Sequence, residues 1–180
     1  MVCLFDEIPR IVGERIVIER VCESDASALQ ELMDNPRVYR YLPTFLFEKQ
    51  RDDVYETIRE LYGDLFEQKE SLILAIRDKE TGDLFGLIEL YGQREEIHKI
   101  SLGYRLLERH WGQGIATEAV RLMVGYLYGQ TDTDVITAST MVENVASARV
   151  LQKSGFIETA RGVEEDWGYD QPTIADKWFS

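Results

Sequence analysis

Cysteine is scarce in this chain: its 180 residues hold two, Cys3 and Cys22. Two cysteines make no disulfide framework, so both are read as free thiols of a reducing, cytoplasmic compartment. Long apolar runs are missing as well. None approaches the roughly 20 residues of a membrane helix, and the opening MVCLFDEIPR carries acids before any apolar stretch, unlike a signal peptide. Positive charge is short: 20 Lys and Arg face 33 Asp and Glu, a net charge of −13. Phosphate backbones need clustered Lys and Arg, so no nucleic-acid partner is expected. A cationic partner, an amine or a basic protein, would suit such a surface, although acidity also simply keeps proteins soluble. No repeat, low-complexity linker or metal-ligand set is visible.

Apolar residues make up 44% and charged residues 29%, a mix that folds around a core. The length predicts one domain, residues 1–180. RIVIER (15–20) alternates as a strand. Ser24 is placed to cap a short helix carrying Leu29, Leu32 and Met33, which Pro36 closes. RVYRYLPTF (37–45) reads as a loop. Apolar residues at Val54, Ile58, Leu61, Tyr62, Leu65 and Phe66 predict a long amphipathic helix between Glu48 and Glu70. SLILAIRD, DLFGLIELYG and IHKISLGYRLL read as three antiparallel strands joined by turns at KETG and QREE. Ile115, Ala119, Leu122, Met123 and Tyr126 mark another helix, followed by the strand DVITASTM. Asn144 can cap a helix that Gly155 ends. FIETARGV and TIADKWFS are the last strands. The passage from ISLGYRLL to VITASTM is a parallel crossover, so the class is α+β with a mixed sheet.

Within ERHWGQGIATEA (108–119), Gly112 and Gly114 stand where a helix begins. Free amides at a helix N-terminus, together with the helix dipole, bind anions, and glycine removes the side chain that would hold a phosphate away. A Walker A loop is excluded because no Gly-Lys-Ser/Thr follows. The dinucleotide fingerprint fails at its third glycine, where Thr117 stands, and three strands already precede it. A plain strand-to-helix turn that binds nothing remains open on the motif alone.

RHWGQG (109–114) fits the Q/R-x-x-G-x-G/A motif, and the chain resembles the GCN5-related N-acetyltransferase (GNAT) superfamily. GYRLLERHWGQGIATEAV, ENVASARVLQKSGF and DNPRVYRYLP are similar to the branch of ribosomal-protein N-terminal acetyltransferases. The resemblance implies a mixed central sheet of about seven strands flanked by four helices, a splayed parallel strand pair, and acetyl-CoA as cofactor. It places backbone groups of Leu106 and Leu107 beside pantetheine. The segment Arg109, Gly112, Gln113, Gly114 and Ile115 would lie at the pyrophosphate, and Asn144 would meet pantetheine. Asn144 also fits an ordinary helix cap. Many members carry a tyrosine in the later helix as general acid. Leu151 occupies that position here, which leaves Ser147 as the implied hydrogen-bond donor to the leaving thiolate.

The base that frees the amine is less defined. Glu89 is an acid inside a strand, and Glu164, Glu165 and Asp166 lie near the last hairpin. His98 reads as a surface residue. Tyr39, Tyr41, Trp167 and Tyr169, with Glu164, Glu165, Asp166 and Asp170, predict an aromatic and acidic mouth for a cationic primary amine. A protein N-terminus, a small amine such as a polyamine, amino acid or antibiotic, and a non-catalytic acyl-CoA-binding domain stay open, as do monomer and homodimer.

Overall fold

The computed structural model describes residues 1–180. Eight strands form one sheet: β1 (Ile11–Val12), β2 (Ile16–Glu19), β3 (Ser71–Asp78), β4 (Leu84–Arg94), β5 (Lys99–Leu106), β6 (Val135–Met141), β7 (Ile157–Glu165) and β8 (Thr173–Phe179). Their order is β1-β2-β3-β4-β5-β6-β8-β7. All neighbours are antiparallel except β5 and β6. Six α-helices accompany them: α1 (Ala26–Asp34), α2 (Pro36–Tyr39), α3 (Val54–Glu60), α4 (Asp64–Glu67), α5 (Ile115–Gln130) and α6 (Val145–Lys153). This is the expected α+β mixed sheet. The eighth strand is the two-residue β1 at its edge. No helix is long and apolar enough to cross a membrane, and no group of three or more His, Cys, Asp or Glu side chains is placed to hold a metal.

The sheet is buried on both faces, so β3 is an almost unbroken apolar run rather than an alternating one. One face, with Ile16, Leu74, Ile88, Ile100 and Leu102, packs on α5 through Ala119, Met123 and Leu127 and reaches Leu151 of α6. The other, with Ile73, Ala75 and Leu87, packs on Leu29 and Leu32 of α1 and Ile58 of α3.

Local structure departs from the sequence reading in four places. Ser24 caps nothing: its hydroxyl lies 2.9 Å from Cys22 Sγ. Asp25 accepts from the Cys22 N–H instead and closes a 3-10 turn over Glu23–Asp25. Asn35 accepts from the Arg37 N–H at 2.9 Å with Pro36 at the first helical position. Pro36 therefore ends one helix and opens another, and RVYRYLPTF is not all loop. The long helix is broken. Asp53 caps the amides of Tyr55 and Glu56, so α3 starts at Val54, and Gly63 separates it from α4. The turn after β4 lies at Glu95–His98, because β4 runs through Gln93 to Arg94.

A buried ion pair joins the α1 entry to β3. Arg77 Nη2 donates to Asp25 Oδ2 at 2.8 Å. Burial pushes the Asp25 carboxyl up, but hydrogen bonds and charge from Arg77 and the Cys22 N–H outweigh it and leave it below its ordinary value. Asp25→Ala removes two charge-assisted hydrogen bonds but leaves Arg77 its pair with Glu19 at 2.8 Å, so it should cost about 2 kcal/mol. A lowered carboxyl stabilises the fold above its unfolded value, near 3.9, and loses that contribution as pH falls through the folded value. The gap between wild type and variant in urea titrations should be flat from about pH 5 to 7 and shrink below about pH 4.

Candidate active site

β5 and β6 pair only through Lys99–Val135, Ile100–Ile136 and Ser101–Thr137. Beyond that point they diverge. β5 stays with β4 as far as Leu106 opposite Gly86, while β6 follows β8 to Met141 opposite Ala175. At the fork the hydroxyls of Ser101 and Thr137 lie 2.8 Å apart. The gap opens into a cavity of about 1090 Å³. Leu106 reaches it, and its carbonyl, turned away from β4, accepts from the Trp111 indole N–H at 2.9 Å. Leu107 does not reach it. Its N–H donates to Phe85 at 2.9 Å, its carbonyl accepts from His110 at 2.9 Å, and its side chain is buried in the α1–α3 core.

Gly112 and Gly114 both take the left-handed conformation, φ +70° and +77°. This is the reason for glycine. A Cβ at Gly112 would meet nothing within 4 Å, so the backbone conformation and not crowding by the protein calls for glycine there, and Gly112 faces the cavity. The first intrahelical bond is from Glu118 to Gly114, and the amides of residues 112 to 117, Ile115 included, donate to no protein atom. Six adjacent free donors at the N-terminus of a sixteen-residue helix suit a pyrophosphate. The loop is held from outside. Arg15 Nη1 donates to the Gln113 carbonyl at 2.9 Å, and Asn35 Nδ2 donates to Glu108 at 2.8 Å. The side chains of Arg109 and Gln113 point elsewhere, to Glu31 and to the Arg109 carbonyl. Their expected contribution is left to the main chain.

Asn144 and Ser147 line the cavity at the start of α6. Asn144 Oδ1 accepts from the Ser147 N–H at 3.3 Å, so the asparagine caps the helix as expected. Ser147 Oγ accepts from the Tyr104 phenol at 3.3 Å. The sequence placed Tyr104 only in the alternating core face of β5. Its polar end had no visible partner until α6 was in place.

Glu89 lies buried in the cavity floor. Ser71 donates to one of its oxygens, and Arg105 Nη1 donates to the other at 2.6 Å. Arg105 also binds Glu48 with two nitrogens at 2.6 and 2.7 Å, and Glu48 accepts from Tyr39 at 2.9 Å. Arg105 and Glu48 were not recognised from sequence. The available signal was one acid and one base inside neighbouring strands: Glu89 faces Gly103, two residues from Arg105 on the same face.

The acidic mouth needs correction. Glu164 and Asp170 do not line the cavity, and neither do Tyr39 and Tyr169. Glu165 lines it but is neutralised by Lys177 and accepts from the Trp167 indole at 2.8 Å. Asp166 is exposed at the rim, one oxygen taken by the Gly168 N–H at 2.9 Å. Alternation on β7 and tight pairing consumed the acids that the sequence reading had pooled. His98 is exposed and away from the cavity. Two loops close over the rim: Thr44 N–H and Oγ donate to the Trp167 carbonyl at 2.8 and 3.1 Å, and the Tyr169 phenol donates to Leu42 at 2.6 Å.

A family model described as an acetyltransferase (GNAT) domain matches residues 15–157. The chain belongs to the GNAT acetyltransferase family. It is therefore an acyltransferase of the acetyl-CoA-dependent GNAT type, and the splayed pair and free amides fit that cofactor. The uncharacterized N-acetyltransferase YoaA of Bacillus subtilis is 24% identical over 168 residues, 93% of each chain. The ribosomal L7/L12 α-N-protein acetyltransferase RimL, solved with coenzyme A, superposes with a TM-score of 0.79 at 16% identity, covering 96% of this chain and 97% of that one. The Vibrio cholerae spermidine N-acetyltransferase, solved with CoA and spermine, gives 0.75 at 18%, covering 93% and 96%. These likenesses are of fold, and they span two kinds of acceptor.

A cofactor that binds only the folded GNAT domain stabilises it by mass action, by about 2.7 kcal/mol at a hundredfold excess over Kd. Aspartate tolerates the left-handed region better than most residues, so Gly112→Asp should fold while placing a carboxylate where the pyrophosphate is expected. Acetyl-CoA should raise the Tm of the wild type and leave that of the variant unmoved in a thermal shift assay.

Proposed function

We propose that this GNAT enzyme acetylates the terminal amine of a peptide or protein, rather than a polyamine. The observation that carries this reading is the charge state of the cavity. Of the four acids that line it, buried Glu89 is matched by Arg105 and half-buried Glu165 by Lys177, which leaves only Glu70 and Asp166, both exposed. Polyamine recognition calls for several unmatched carboxylates, whereas a chain end brings one ammonium followed by neutral amides. Tyr41, Phe45, Phe47 and Trp167 add flat apolar walls to the same opening.

Acetyl-CoA supplies an acetyl group activated as a thioester. In our reading the free amides of residues 112 to 117 hold its pyrophosphate, while Leu106 and Asn144 border the pantetheine arm. Asn144 retains an Nδ2 that donates to no protein atom. Ser147 donates its hydroxyl hydrogen toward the sulfur. Asp166, whose second oxygen is uncommitted, takes the proton from the amine, directly or through water. Glu89 serves as an anchor for Arg105 and the cavity floor, because both of its oxygens are occupied.

Ser147→Ala should lower kcat about tenfold with little change in the KM for acetyl-CoA, the pattern of an interaction made in the transition state. The acceptor is tested with a panel of peptides and polyamines. A terminal α-amine titrates near pH 8 and a lysine or polyamine amine nearer 10. For the best acceptor, kcat/KM should therefore rise to a plateau near pH 8. A profile still climbing at pH 9.5, with spermidine preferred and activity falling steeply in salt, would replace the peptide reading with the polyamine one.

A further inference from the structure

The Ser147 hydroxyl is partnered on one side only. Tyr104 donates to its oxygen at 3.3 Å, and no protein atom accepts the serine hydrogen. Both residues line the cavity. Tyr104 stands on β5 three residues beyond Ser101, the last residue paired to β6, in register with Ile88 of β4. Ser147 lies in the first turn of α6, its N–H tied to Asn144. A hydroxyl carries one hydrogen and two acceptor positions. With the phenol filling one acceptor position, the serine hydrogen cannot turn back toward Tyr104. What it faces instead is the cavity.

We propose that Tyr104 is a positioning residue that fixes the rotor of Ser147, so that the serine O–H is presented to the sulfur as it departs. This rests on the reading of Ser147 given above. In the step, the carbonyl carbon–sulfur bond breaks as the carbon–nitrogen bond forms, and the electron pair leaves on sulfur. Ser147 donates a hydrogen bond to that pair and Tyr104 donates one to Ser147, so neither hydroxyl has to give up its proton. The proton lost by the amine, through Asp166 or water, balances the proton finally gained by the thiol. Burial pushes the Tyr104 phenol above the usual tyrosine value while the bond to Ser147 draws it partly back. It therefore remains a donor across the working range. A donor whose direction is set in advance needs no reorganisation when charge develops.

The role separates from simple packing. Tyr104 packs against the core of the α5 face, and Tyr104→Phe keeps the ring that does so. The variant should keep its Tm shift with acetyl-CoA and its KM for acetyl-CoA within about twofold, while kcat falls roughly fivefold. Because the effect passes through Ser147, Tyr104→Phe should cost nothing further in a Ser147→Ala background, and it should still slow Ser147→Thr, which retains a hydroxyl. If Ser147→Ala slows the enzyme but Tyr104→Phe does not, the positioning role fails and the reading of Ser147 stands. Losses that multiply in the double variant would show Tyr104 acting on its own and also overturn the proposal. If Ser147→Ala leaves kcat unchanged, the reading of Ser147 fails and the proposal falls with it. Should Tyr104→Phe not fold, Tyr104→Met, which also removes the donor while filling the apolar space, is run through the same pair of serine backgrounds, with the same outcomes deciding.

Discussion

β5 and β6 part after a single pair of hydroxyls, and both halves of the site follow from that fork. Each strand is held elsewhere: β5 by β4 up to Leu106, β6 by β8 up to Met141. Neither can follow the other without giving up an established ladder. A continuous parallel pair would have used every backbone group along its seam. The fork leaves part of that edge open, and the Leu106 carbonyl, turned into it, is satisfied by Trp111. The crossover that joins the two strands then decides what borders the gap. α5 begins just after β5 and presents unbonded amides at one end, and α6 begins just after β6 and presents Asn144 and Ser147 at the other.

The second organising feature is Arg105, an almost wholly buried guanidinium beside the same gap. Such a charge is tolerated only when its donors are matched, and Glu48 and Glu89 match it from opposite sides. Glu89 belongs to the sheet and Glu48 to the segment between α2 and α3. The guanidinium thus ties the segment between α2 and α3 to the cavity floor. It also cancels acids that the composition counts as free. The chain carries −13, yet the charge within the cavity is close to balanced. The sum over a sequence describes the surface as a whole and says little about one opening in it.

What the sequence disclosed follows the same division. The glycine pair, the crossover and the Asn144 cap were legible because each depends on neighbours along the chain. The break at Gly63 was hidden by an apolar period that continues through it. Glu48 served only as a bound of that segment, when it is drawn inward by a residue 57 positions away. Tyr104 read as core because β-strand alternation places it there. Its hydroxyl matters only against Ser147, 43 residues on. Glu164 and Glu165 are adjacent in sequence, and strand geometry sends one to the cavity and the other away.

The two sides of the cavity also differ in what they are made of. One side is bordered by main-chain amides, the fork in the sheet and two left-handed glycines. The other side is bordered by side chains from two loops, at 40–47 and 165–169. Here the two loops are latched through Thr44 and Trp167, and Gly168, at φ +86°, leaves no room for a side chain, since a Cβ would lie 1.9 Å from Thr44 Oγ1. That contact keeps the loops together at the rim. The opening beside this latch is bordered by the aromatic rings of Trp167, Tyr41 and Phe45.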